Sequence, residues 1–159
     1  MEQEQINIVA NNLITAYIAQ MDSALKISEI LAKHNNDKDI EADEIVGGLI
    51  YRLMVPMDDT EIKDSMDNAT QIMNTELSSE EESEEEIEEE SNQLDNNTIS
   101  NTLNNDKPRK IKVNTCDCAI CSKVRECIIS YENYTPIDEL ADRFKNSIKV
   151  TCNKHNLII

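Results

Sequence analysis

Apolar residues recur every three or four positions through most of the first 75 residues, which is the spacing of amphipathic helices. The first stretch, Ile6 to Leu31, predicts one long helix. This helix is expected to end within residues 34–39, HNNDKD, because Asn and Asp side chains favour local turns over helix continuation. Its apolar stripe consists of Ile6, Val9, Leu13, Ile14, Tyr17, Ile18, Met21, Leu25 and Ile30.

Two further helices are predicted before residue 76. Residues 41–54, EADEIVGGLIYRLM, carry acids in the first turn, where the helix dipole favours them. Val55 ends this helix, since Pro56 pushes the preceding residue out of the helical region. The third helix follows Asp58, which can cap it while Glu61 reaches back across the first turn. Its apolar stripe consists of Ile62, Met66, Ala69, Ile72 and Met73.

Three helices joined by short loops predict a helical hairpin or three-helix interaction module over residues 1–75. A bundle this small, with few large side chains, is marginal alone. Its remaining apolar surface is expected to be covered by self-association or by a protein partner, with a monomeric bundle as the alternative. The pair Gly47-Gly48 costs about 1 kcal/mol per residue inside a helix. It predicts close approach of another helix backbone, and the alternative is a break in the helix.

Charge divides the chain into three regions. Residues 76–106 hold 12 acids and no base, including ten Glu within positions 76–90, followed by an Asn-rich tail. Because the Glu side chains repel one another and the Asn-rich tail offers little apolar surface to bury, this region is predicted to be a disordered acidic linker. The preceding region, 1–75, has a net charge of -9, and residues 107–159 have +4, within a total of -17.

The C-terminal region, residues 107–159, concentrates the chemistry, because all five cysteines lie there. The tripeptide Ile-Lys-Val occurs twice, at 111–113 and 148–150, and each copy precedes a candidate ligand pair. We interpret each copy as a short strand followed by a two-ligand turn. The predicted ligands are Cys118, Cys121, Cys152 and His155.

Three thiolates and one imidazole form a ligand set that zinc takes in closed tetrahedral sites, with pairs two residues apart. The region is therefore predicted to be a small α+β module resembling a zinc ribbon. Cys116 is an alternative to Cys118, since both lie close to the turn. Cys127 is expected to be a buried apolar residue, and His34 is expected to be exposed in the loop after the first helix.

A helix is predicted between the two ligand pairs. Thr135 is its expected cap and Pro136 its first residue. Its expected apolar face consists of Leu140, Ala141 and Phe144.

Two alternatives to zinc stay open. Cys118 and Cys121 could form a redox dithiol at a helix N-terminus, where the dipole lowers a thiol pKa. A thioredoxin-like fold, however, needs βαβ elements and more chain than this region offers. Chance clustering of structural cysteines is the other alternative. The sequence contains no glycine-rich phosphate loop, GxSxG or HExxH motif, so a thiol oxidoreductase is the one enzyme class that we consider.

The basic start of the C-terminal region suggests nucleic acid as a possible partner. The candidate phosphate contacts are Lys107, Arg109, Lys110 and Lys112. No apolar run approaches the roughly 20 residues of a membrane span, and the acidic start MEQEQINIV is unlike a signal peptide. The chain is therefore expected to be intracellular, where disulfides are rare.

The blocks VGGLIYRLMVPM at 46–57 and CDCAIC at 116–121, with the Asn, Ile and Lys usage, resemble small proteins of large nucleocytoplasmic DNA viruses, mimivirus-like ones in particular. The resemblance implies a viral protein that is not an enzyme and that accumulates in virions or in virus factories of the host cytoplasm. The expected function is zinc-stabilised binding, with nucleic acid or transcription and packaging machinery as candidate partners. The alternative is a virion-associated structural protein whose zinc only stabilises the fold.

Overall fold

The computed structural model describes residues 1–79 and 107–159 of the chain. The described part is mainly helical, as the sequence predicts. Most of the predicted acidic linker lies outside the described residues. The elements are α1 (Glu2–His34), α2 (Ala42–Met54), α3 (Asp59–Ser79), β1 (Arg109–Lys110), α4 (Ala119–Ser130), a single 3₁₀ turn (Tyr131–Asn133), α5 (Glu139–His155) and β2 (Leu157–Ile158).

The three N-terminal helices match the predicted positions, and the predicted cap of α3 is present. The Glu61 backbone N–H donates to the Asp58 carboxylate at 2.8 Å, and the Asp58 N–H donates to the Glu61 carboxylate at 2.9 Å. Glu61 also accepts a hydrogen bond from the guanidinium of Arg52 at 3.1 Å. Because Arg52 is 1% exposed, this ion pair fixes the start of α3 against α2.

The helices α1 and α2 pack most closely at Gly48. A methyl group at this position would overlap the Ser28 hydroxyl and the Ala24 carbonyl oxygen, and would lie 3.1 Å from the Ser28 backbone nitrogen. Gly47 is less confined, since its nearest neighbour would be the end of the Leu31 side chain at 3.0 Å. The glycine pair therefore permits close contact of two helix backbones within an unbroken helix.

The second predicted strand is wrong, because residues 148–150 lie inside α5. Phe144, Ile148 and Cys152 are spaced four residues apart and are all buried on one face of that helix. The predicted cap is also displaced: Asp138, rather than Thr135, accepts the Ala141 backbone N–H at 2.7 Å, and α5 starts at Glu139. The zinc-ribbon prediction is not confirmed, since the sheet in the described residues has two parallel strands of two residues each.

One hydrophobic core joins the N-terminal helices to the C-terminal region. Val46 and Ile50 of α2 are fully buried together with Phe144 and Ile148 of α5. A neighbouring cluster, formed by Ile27, Leu31, Cys121 and Val124, joins α1 to α4. The division into modules 1–75 and 107–159 stays a prediction, but the two segments pack on each other along α2. None of the helices in the described residues is long and apolar enough to cross a membrane.

We expect Gly48→Ala to destabilise the protein by about 1–3 kcal/mol, because the methyl group meets backbone atoms of α1 that cannot move aside. The gain of about 1 kcal/mol in helix propensity does not offset such a clash in full. The matched control is Gly47→Ala, whose methyl group meets the flexible end of Leu31, and which should change stability by less than about 1 kcal/mol. Urea unfolding of both variants measures the difference, and equal stabilities would contradict the close contact at Gly48.

Candidate metal centre

Four side chains from two distant parts of the chain converge on one point. His34 is the last residue of α1, Cys116 lies in the loop before α4, Cys118 caps α4, and Cys121 lies in its first turn. Their donor atoms all lie within 4.8 Å of one another. His34 is exposed, Cys116 and Cys118 are half-buried, and Cys121 is buried. This His and three Cys group can hold a metal ion.

The three nitrogen–sulfur distances within the group match the edges of a tetrahedral donor set. The Nδ1 atom of His34 lies 3.4 Å from Cys116 Sγ, 3.3 Å from Cys118 Sγ and 3.2 Å from Cys121 Sγ. A single ring nitrogen cannot form good hydrogen bonds to three sulfurs at once. In contrast, Zn–S bonds of about 2.3 Å and Zn–N bonds of about 2.0 Å give tetrahedral N–S edges of about 3.5 Å. The donor set therefore fits a tetrahedral ion with thiolate and imidazole ligands.

The end of α1 places His34. The chain leaves the helix at Asn35, and Asn36 takes the left-handed conformation with φ 61°. The Asn35 side chain donates to the Glu44 carboxylate of α2 at 2.9 Å. Glu44 also accepts the Glu41 backbone N–H at 2.8 Å, as part of the capping box of α2. One buried carboxylate thus starts α2 and holds the end of α1, which sets the position of the imidazole.

The N-terminus of α4 makes the thiols of Cys118 and Cys121 unequal. The Cys121 backbone N–H donates to Cys118 Sγ at 3.4 Å, and this contact is the main cause that lowers the pKa of Cys118 to about 7. Burial raises the pKa of the Cys121 thiol to about 11, although the Asn114 amide, 3.2 Å from its sulfur, acts in the opposite direction. The helix N-terminus thus favours the thiolate at Cys118, whereas at Cys121 burial outweighs the Asn114 amide and favours the neutral thiol.

Arg125 holds the loop that carries Cys116. Its Nη1 atom donates to the carbonyl oxygen of Cys116 at 2.8 Å and to that of Asn114 at 2.9 Å. Arg125 lies one helical turn after Cys121, so its side chain ties the loop to the helix that carries the other two sulfurs. Three thiolates and one neutral imidazole around a divalent ion would carry a net charge of -1. The Arg125 cation beside them therefore has the complementary sign.

Asp43 anchors the segment before the loop. It is buried near the start of α2, where it accepts two hydrogen bonds from the Arg109 guanidinium, at 2.6 and 2.8 Å, and the Lys112 backbone N–H at 2.6 Å. The Arg109 hydrogen bond is the main cause that holds the pKa of Asp43 below its usual range. Asp43 and Arg125 together position a segment that has little regular structure of its own.

The structure does not bring Cys152 and His155 to this group. Cys152 is buried in the core formed by α2 and α5, where burial raises the pKa of its thiol. His155 is the last residue of α5 and is exposed. Since residues 148–155 are helical, the predicted second ligand turn does not form. Cys127 is 4% exposed, as expected of a buried apolar residue.

His34 is the ligand candidate that the sequence analysis missed. It is exposed, as predicted, but it lies at the end of the helix instead of in a separate loop. It lies 82 positions from Cys116, so no local spacing connects the two. The sequence pointed to a fourth ligand only indirectly. Cys116, Cys118 and Cys121 offer three donor atoms in one segment, so a tetrahedral site needs a fourth donor from another part of the chain.

The candidate phosphate contacts are only partly available for binding. Arg109 is engaged by Asp43, while Lys107, Lys110 and Lys112 are exposed. Nucleic-acid binding by this segment stays a prediction.

The dithiol alternative keeps one of its expected features, because Cys118 and Cys121 do lie at a helix N-terminus. The described residues, however, contain one pair of parallel two-residue strands, joined through α4 and α5, which is far less sheet than a thioredoxin-like fold needs.

No family model matches the chain, and neither a curated protein nor a solved structure matches it significantly. The viral resemblance of the sequence therefore stays an expectation. What can be said of the site comes from its own geometry.

We expect Arg125→Met to weaken cobalt(II) binding by about 10–100-fold, the usual effect of removing a partner that orients metal ligands. The reason is that the loop carrying Cys116 loses its anchor and the site loses a neighbouring cation. Lys123→Met is the matched control, since Lys123 lies on the exposed side of α4 and pairs with Glu126. The absorption of tetrahedral thiolate-bound cobalt(II) measures both affinities. Equal affinities would show that Arg125 does not support the site.

We expect Asp43→Asn to destabilise the fold by about 1–2 kcal/mol at pH 7, less than for a fully buried pair because the Arg109 side chain is 45% exposed. A carboxyl group with a lowered pKa stabilises the fold above its unfolded value of about 3.9 and loses this contribution as the pH falls through its folded pKa. The difference between wild type and variant should therefore begin to shrink as the pH falls below about 4. Glu139→Gln, which removes an exposed pair with Arg143, should cost less than about 0.5 kcal/mol. A difference at pH 2.5 as large as the one at pH 7 would contradict this assignment.

Proposed function

We propose that this protein is a non-enzymatic binding protein stabilised by zinc at a Cys3His site formed by His34, Cys116, Cys118 and Cys121. The observation that carries the proposal is the position of the His34 nitrogen, 3.2–3.4 Å from three sulfurs. Zinc is the metal class that this donor set favours, because thiolates and imidazole are soft to borderline ligands and a tetrahedral arrangement suits a d¹⁰ ion.

The proposed role of the metal is structural. Four protein donors complete a tetrahedral set and leave no coordination position for water or substrate, whereas catalytic zinc sites keep one position open. The donors come from α1 on one side and from the loop and start of α4 on the other. Bound zinc would fasten the end of α1 to the C-terminal region. The thiol oxidoreductase alternative is disfavoured by the nearby His34 and Cys116, which a simple dithiol does not need.

The ligand set distinguishes this proposal from other readings of the sequence. We expect the full chain to bind one zinc or cobalt(II) ion and His34→Ala to weaken binding by more than about 100-fold, since even indirect partners of a metal site cost 10–100-fold. Cys116→Ser, Cys118→Ser and Cys121→Ser should have effects of the same order. Chelation of the metal should lower the melting temperature, because metal bound to the folded state stabilises it.

The control for the ligand set is the double variant Cys152→Ala/His155→Ala, which removes the other candidate pair. It should retain cobalt(II) affinity and the charge-transfer absorption of three thiolate ligands. If the wild-type chain binds no metal, the zinc proposal is wrong. If His34→Ala binds as well as wild type while the double variant does not, the ligands are those of the alternative set.

A further inference from the structure

The N-terminal half of α1 extends beyond the core and exposes an apolar stripe. The first fourteen residues of the chain are all exposed, and the buried residues of α1 begin at Ala19. Ile6, Val9 and Leu13 expose 59, 58 and 58% of their surfaces. Because they recur at helical spacing, these three side chains lie on one face, which we call the α1 stripe.

The α1 stripe lies on the same face that packs against α2 further along the helix. Leu13 precedes Ala24 and Leu31 by about three and five full turns, and both of these residues face the glycines of α2. The two helices are antiparallel, and α2 ends close to Gln20, whose amide donates to the Arg52 carbonyl at 3.0 Å. The α1 stripe therefore continues, past the end of α2, the face on which α1 packs against a helix. This geometry favours packing of another helix on the stripe.

The helix α5 forms a wall beside the α1 stripe. The Tyr17 hydroxyl is hydrogen-bonded to the Ser147 hydroxyl, and the Tyr17 ring packs edge-on against Phe144 at a centroid distance of 6.0 Å. These contacts fix α5 against the middle of α1. The lining of the resulting groove includes Leu13, Ile14 and Tyr17 of α1 and Glu139, Leu140 and Arg143 of α5.

The charges around the α1 stripe favour a particular occupant. The chain has no ionisable acidic or basic side chain between Glu4 and Asp22 except the Tyr17 phenol, although charged residues make up 30% of the whole sequence. A strongly charged partner would find no complementary charge on this surface. The same segment of a second copy matches it in length, apolar pattern and neutrality. The two charged side chains of the neighbouring groove, Glu139 and Arg143, pair with each other at 2.9 Å and add no net charge.

We infer that the α1 stripe binds the α1 stripe of a second copy of this chain, antiparallel, about a two-fold axis near Val9 and Ala10. Ile6 of each copy then packs against Leu13 of the other. The overlap covers Glu2 to Tyr17, which is the part of α1 that α2 leaves uncovered. A parallel arrangement would place the acidic N-termini of both copies side by side, and like charges in contact oppose it.

The dimer should be weak and favoured by salt. An overlap of about 24 Å between two helices gives an interface at the small end of the known range, so a dissociation constant on the order of 10 µM is expected. Each copy carries a net charge of -17, and salt screens this repulsion. Binding driven by apolar contact and opposed by net charge therefore strengthens as salt increases.

Sedimentation equilibrium of the full chain tests the inference, with a non-thiol reductant present so that disulfide-linked dimers do not form. We expect a monomer–dimer equilibrium that Leu13→Glu weakens by at least about 100-fold, because it places a charge in an apolar contact. Ile8→Glu is the matched control, since Ile8 is 54% exposed on the opposite face and its substitution should leave the dimer unchanged. Circular dichroism checks that both variants remain folded.

The orientation has its own test. In the antiparallel dimer the double variant Ile6→Glu/Leu13→Lys brings opposite charges together twice, so it should dimerise at least about tenfold more tightly than either single variant. A chain that stays monomeric well above 10 µM at high salt overturns the inference. Equal effects of Ile8→Glu and Leu13→Glu would overturn it as well. A double variant weaker than both single variants would exclude the antiparallel arrangement.

Discussion

The contact between α1 and α2 at Gly48 determines where the other helices pack. Two helix backbones can approach this closely only where one of them has no side chain, and Ser28 and Ala24 fill the space that a methyl group at Gly48 would need. With α1 held on one side, α2 presents Val46 and Ile50 to α5, and Gly47 lies between Leu31 and Val124 of α4. The C-terminal region therefore packs on a surface that the glycine pair creates.

The candidate metal centre depends on the same packing. Four polar side chains fix the donor atoms relative to the helices. Glu44 holds the end of α1 through Asn35. Asp43 holds the segment before the loop, and Arg125 holds the loop itself. None of these contacts requires a regular sheet, and the two-residue strands contribute little. Precision at the site comes from buried carboxylates and a guanidinium, each of which makes more than one hydrogen bond.

The sequence predicted those features that depend on neighbouring residues. Apolar periodicity located the three N-terminal helices, Asp58 and Glu61 showed the cap of α3, and Gly47-Gly48 indicated a close helix contact. The repeated Ile-Lys-Val misled the prediction of residues 148–150, because the four-residue spacing of buried side chains in α5 outweighs a three-residue likeness. Three of the four metal-donor candidates form one local motif, Cys-x-Cys-x-x-Cys, in which Cys116 is one of the donors.

The fourth donor could not be predicted in the same way. His34 and Cys116 are separated by 82 positions, and their meeting is a product of how α1 and α4 pack around α2. Sequence motifs are defined by spacing along the chain, whereas this contact depends on the tertiary packing of the helices. The same limit explains why Cys152-x-x-His155 looked like a ligand pair: its spacing is right, but the helix that contains it buries one residue and exposes the other.

This division of the donors has a consequence for the order in which the protein folds. Three sulfurs lie within six consecutive residues and can gather around an ion as soon as that short segment turns, which is a local and fast event. The imidazole arrives only when α1 has docked, and contacts between residues so far apart in sequence form slowly because a long loop must close first. A metal held early by three thiolates would thus acquire its last ligand at the end of folding. The number of protein ligands on the ion would then report, during refolding, when the two ends of the molecule come together.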